Sequence, residues 1–110
     1  MKKKKLIIGL NDAEVLEMWQ KETCSIFPED MHLVLCKATE TKEHITDDSI
    51  VIVLYFYGDE GEEDPGNEIA RLENEFKAKS FTNFFIITSE RKRGYFIAAL
   101  SRVCRIIQKK

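Results

Sequence analysis

The chain has 110 residues, 44% hydrophobic and 33% charged, with a net charge of −2. That length supports one core and not two, and the balance is that of a globular rather than a disordered chain. A near-neutral charge excludes bulk nucleic-acid binding, and no apolar stretch approaches the roughly 20 residues that span a bilayer.

In chain order, Leu6–Leu10 (LIIGL) reads as a first strand. The lysines before it are followed by only the five residues Leu6–Leu10 before the polar Asn11 and Asp12, too short for a signal-peptide core. Asn11 with Glu14 three residues on is a capping-box pattern, opening a helix to about Glu22 with Val15, Leu16, Met18 and Trp19 on its apolar side. Pro28 breaks the pattern, and His32–Cys36 reads as a second strand. Residues 37–46 are weakly patterned, a short helix or a loop.

Ser49–Tyr57 (SIVIVLYFY) is the strongest strand signal, a continuous apolar run of the kind buried on both faces of a parallel sheet. It runs into a loop carrying Asp59, Glu60, Glu62, Glu63 and Asp64. Asp64 as N-cap and Pro65 at the first helical position then open a third helix, with Ile69, Leu72 and Phe76 as its buried stripe. Asn83–Thr88 reads as a fourth strand. After the basic turn Arg91-Lys92-Arg93-Gly94, a last helix is expected to bury Phe96, Ile97, Leu100, Val103, Cys104 and Ile107. From Arg91 to the end there are seven Lys or Arg and no acid.

Alternating strands and helices predict an α/β fold, with right-handed crossovers and a parallel sheet. The simplest assembly is one domain over residues 1–110: three layers, a doubly wound, flavodoxin-like sheet of about four strands in order 2-1-3-4. Its switch point falls between the first and third strands, so the loop at Gly9–Asp12 should face the loop at Gly58–Asp64, where such sheets bind ligands.

Several residues there are candidates for chemistry. Asp12 with Asp59 and Glu60 offers hard oxygen ligands for Mg2+ or Ca2+; the alternative is a first-turn aspartate favoured by the helix dipole beside solvated loop acids. Asn11, Thr88 and Ser89 are positions for a bound cofactor or phosphate, though strand-end hydroxyls also cap turns. Glu68, one turn into the third helix, is either a catalytic carboxylate or an ordinary surface residue. His32 and His44 have no partners at metal-ligand spacing, and no P-loop, nucleophile elbow or dinucleotide fingerprint occurs. Three cysteines without a CxxC pair fit a reducing cytoplasm.

The segment KKKLIIGLNDAEVLEMWQKE, Lys3–Glu22, resembles the opening of a response-regulator receiver domain, and FFIITS, Phe84–Ser89, is similar to that family's fourth strand. The resemblance implies a magnesium site at the acidic pair and a phospho-acceptor Asp closing the third strand. Here the pair is Asn11-Asp12, the acceptor position falls near Leu54, and none of Ile50–Tyr57 is acidic. The expectation is a receiver-like regulatory or protein-interaction module without phosphotransfer. NEIARLE, Asn67–Glu73, resembles the helix of small TIR-like and nucleoside deoxyribosyltransferase-like domains, which implies the alternative of an enzyme acting on NAD or a nucleoside through Glu68. The chain has no fifth strand to cover the fourth, whose open edge is apolar, so a homodimer is expected, with a protein partner and neither membrane nor nucleic acid.

Overall fold

A computed structural model describes residues 4–22, 31–58 and 66–108. The elements are β1 (Lys4–Leu10), α1 (Ala13–Glu22), β2 (Met31–Lys37), a 3-10 turn at Ala38–Glu40, α2 (Thr41–His44), β3 (Ser49–Tyr57), α3 (Gly66–Ala78), β4 (Phe84–Glu90) and α4 (Tyr95–Gln108). The four strands form one parallel sheet in the order β2-β1-β3-β4, the expected flavodoxin-like arrangement. The expected N-cap Asp64 and the expected helix start at Pro65 lie outside the described residues.

The sheet is central because β1 and β3 are apolar on both faces. Ile50, Ile52, Leu54 and Phe56 of β3 point to one side, where Val15 and Trp19 of α1 and Ala99 and Val103 of α4 cover them. Val51, Val53 and Tyr55 point to the other, against Leu72 and Phe76 of α3 and Ala38 of the 3-10 turn. This side is closed by an aromatic group: the Phe76 ring, fully buried, lies 4.8 Å from Phe84 and 5.8 Å from Phe81.

The connection from β2 to β3 passes over β1 with only the 3-10 turn and one turn of α2. It can sit that close because β1 carries Gly9. A Cβ there would lie 2.3 Å from the Thr41 methyl and 3.0 Å from the Ala38 Cα, so only glycine admits the approach.

Two local expectations are corrected. The N-cap of α1 is Asp12, not Asn11: the Asp12 Oδ1 accepts the amides of Glu14 (3.1 Å) and Val15 (3.2 Å). On α4, Ile97 is 63% exposed instead of buried. Val103 is buried, and Phe96, Leu100, Cys104 and Ile107 are half-buried. The seam follows 96, 99, 100, 103, 106 and 107, and Ile97 falls a residue off it.

Candidate functional site

The C-terminal end of the sheet, where β1 and β3 diverge in their connections, carries two arrangements. They begin at adjacent residues.

Asn11 leaves β1 and uses its side chain as a further rung of the sheet. Its Nδ2 donates to the Phe56 carbonyl (2.9 Å), and its Oδ1 accepts the Phe56 amide (2.7 Å). A primary amide has the donor and acceptor of a peptide group, so it can satisfy both backbone groups of one residue. The expected ligand role for Asn11 therefore meets an amide already engaged by β3.

Asp12 turns to the α1/α4 face. Besides capping α1, it accepts at Oδ2 from Arg91 Nε (3.2 Å) and from the Tyr95 hydroxyl (3.0 Å). Both side chains of the Asp12–Arg91 pair are only 10% exposed. Burial pushes the Asp12 carboxyl up. The Val15 amide, the Tyr95 hydroxyl and the Arg91 guanidinium outweigh it, and the carboxyl is held below its ordinary value. Burial raises the Tyr95 phenol, and the Asp12 carboxylate adds to the rise. The Tyr95 ring stands edge-on to Phe56, with centroids 5.0 Å apart. The Arg91 amide also donates to the Tyr57 carbonyl (2.7 Å), so one residue ties the start of the β4–α4 connection to both β3 and α1.

Asp59 and Glu60, the other members of the expected cation site, lie outside the described residues. Among the described residues, no three His, Cys, Asp or Glu gather to hold a metal. The Asp12 oxygens meet a cation already, and it is Arg91.

At the same end of the sheet, between the start of α1, the 3-10 turn and α3, is an open cleft of two adjoining lobes. One lobe of about 230 Å3 has an apolar wall of Leu10, Ala13, Leu16 and Ala38, with Asn11 and Lys37 at its rim. The other, about 290 Å3, is bounded by Lys42, Arg71, Leu72 and Glu75. Thr39, Tyr55 and Glu68 line both. Glu68 is thus at the cleft, on the exposed first turn of α3. Thr88 and Ser89 line neither lobe. They sit on the edge strand opposite Tyr55 and Phe56, and the Thr88 carbonyl accepts from Arg102 Nη1 (3.3 Å).

Tyr55 and Arg91 were the residues that sequence reasoning passed over. Tyr55 sits inside an apolar strand and is only 4% exposed, yet its hydroxyl makes no hydrogen bond among the described residues. Burial pushes that phenol up, Glu68 and Glu75 push it further, and Arg71 opposes them. The signal available was a polar tip two residues from the end of the central strand, where such folds place ligands. Arg91 and Tyr95 were legible only as a basic turn and a helix start.

No protein-family model, curated protein or solved structure matches this chain. Among the described residues no helix is long and apolar enough to cross a membrane.

Proposed function

We propose that this protein is a non-catalytic regulatory or protein-interaction module with a receiver-like fold, unable to accept a phosphoryl group. One observation carries the reading. At the place where a receiver would gather acids around magnesium, Asp12 is closed off by Arg91 and Tyr95, beside a β3 that ends without an acid. An internal guanidinium replaces the divalent ion, so the carboxylate works as a structural tie between the β1 exit and α4 and not as a ligand.

Two further properties belong to the same proposal. β4 is an edge strand paired only with β3 among the described residues, and Phe84, Phe85 and Ile86 on it are half-buried, which supports a homodimer through that edge. Cys36 is buried and unpaired, its thiol pushed up to about 11 first by burial and then by Glu40 and Glu43. Free cysteines at Cys36 and Cys104 support residence in a reducing cytoplasm.

Incubation with acetyl phosphate and magnesium, followed by intact mass measurement, tests the reading. The expected mass is that of the untreated chain, while an added phosphoryl group on any aspartate overturns it.

A further inference from the structure

The cleft beside α3 is separate from the Asp12 tie, and its chemistry is specific enough to name a ligand class. We propose that it binds a small organic acid carrying an amine or hydroxyl donor next to its carboxylate, the amino-acid and hydroxy-acid class.

Size comes first. Lobes of about 230 and 290 Å3 suit a small molecule.

Charge comes second. In the larger lobe Lys42 is already paired with Glu75 (3.4 Å), which leaves Arg71 as the cation facing the cavity without an ion pair among the described residues. A guanidinium binds a carboxylate through two parallel N–H donors. Glu68, shared by both lobes, has no ion-pair partner among the described residues either, and accepts only. It therefore calls for an ammonium or a hydroxyl donor on the ligand. The Tyr55 hydroxyl makes no hydrogen bond among the described residues, and it lies within the electrostatic reach of both Arg71 and Glu68. It can donate to the ligand's carboxylate or accept from its donor group. The rest of the ligand then faces Leu72 or the wall formed by Leu10 and Leu16. An analogue that lacks either the carboxylate or the donor group forfeits the matching hydrogen bonds and should bind more weakly.

The experiment is an amide-resolved NMR titration of the full chain. The probes are the standard amino acids and their 2-hydroxy analogues at millimolar concentration, with NAD and adenosine in the same panel. At least one acid should move the amides of Thr39, Tyr55, Glu68 and Arg71 in a saturable way. For leucine, two truncated probes separate the requirements: 4-methylpentanoate lacks the amine and isoamylamine lacks the carboxylate, and each should bind about tenfold or more weakly. Arg71→Gln and Tyr55→Phe, both judged folded by their unchanged spectra elsewhere, should weaken the best ligand by a similar factor. The proposal is overturned if no acid moves these amides, if the shifts fall elsewhere, or if the truncated probes bind as well as the parent. Binding of NAD or adenosine in place of the acids also overturns it, and returns Glu68 to nucleoside chemistry. None of these outcomes depends on whether the chain accepts phosphate.

Discussion

Replacing Asp12 by Asn separates its two tasks. Asparagine keeps a side-chain carbonyl that can accept the Glu14 and Val15 amides, so the cap of α1 survives. What disappears is the negative charge 3.2 Å from Arg91 Nε, in a pair whose side chains are both 10% exposed. A charge-assisted hydrogen bond contributes about 1.5–3 kcal/mol, and Arg91 has an interaction besides the one with Asp12. The expected loss is therefore that of the hydrogen-bonded charge pair, about 1.5–3 kcal/mol. Asp12→Ala should cost about 1 kcal/mol more, for the cap. Asp12→Asn combined with Arg91→Met should lose less than the sum of the two single changes, with a coupling of about 1–3 kcal/mol. Urea unfolding gives these numbers directly, provided that the denaturant slope is unchanged.

The pH dependence checks the cause. A carboxyl lowered in the folded state stabilises fully above its ordinary value of 3.8, and the contribution drains away as pH falls through the lower folded value. The gap between wild type and Asp12→Asn should therefore be flat around neutrality and close in acid. A neutral-pH gap under about 0.5 kcal/mol, the size of an ordinary surface substitution, would refute the reasoning. So would a gap that widens on acidification.

Two other outcomes follow from the packing and the sheet edge. Gly9→Ala forces a methyl to within 2.3 Å of Thr41 and 3.0 Å of the Ala38 backbone, and should destabilise by about 1–3 kcal/mol in the same unfolding assay, with Thr41→Ser giving partial rescue by removing the methyl it meets. Light scattering coupled to size exclusion should give twice the 12.8 kDa chain mass, reduced by Ile86→Lys on the β4 edge, and the monomer mass across a concentration series would refute the edge dimer.

The fold was legible where a single element carried its own signal. β3 announced itself because eight consecutive apolar residues leave no polar face, which in turn places it in the middle of the sheet. The order of the strands then followed from alternation and crossover handedness. The α1 cap was not legible in the same way. Asn11 and Asp12 are both good caps one residue apart, and the choice is made by Phe56, 45 residues away, whose backbone takes the Asn11 amide. The same limit hid the tie to Arg91 and Tyr95, across 79 and 83 residues. Ile97 was misplaced for a simpler reason: the apolar stripe of α4 was read one residue too wide. For the cleft, Glu68 was reached through its position at the start of the helix after the central strand. Tyr55 was absorbed into the core, since a strand pattern tells which face a side chain takes but not whether that face stays covered at its end.

The placement of Asn11 between these two arrangements has a mechanical consequence. Its amide joins β1 to β3, Asp12 immediately after it closes the α1/α4 face, and the cleft lies open on the α3 face. The tie and the cleft share no charged side chain: Asp12 and Arg91 belong to one, and Glu68, Arg71 and Lys37 to the other. Sites without shared partners contribute nearly additively. Asp12→Asn should then lower stability and leave the affinity of the cleft unchanged at temperatures where the chain is folded, whereas Arg71→Gln, at an exposed position, should weaken ligand binding with stability within about 0.5 kcal/mol of wild type. Unfolding and titration on both variants and their double mutant measure this directly. Asp12→Asn changing ligand affinity tenfold would mean that the two sites are coupled, either through the Asn11–Phe56 bonds or through α1, which Asp12 caps and whose Ala13 and Leu16 line the cleft.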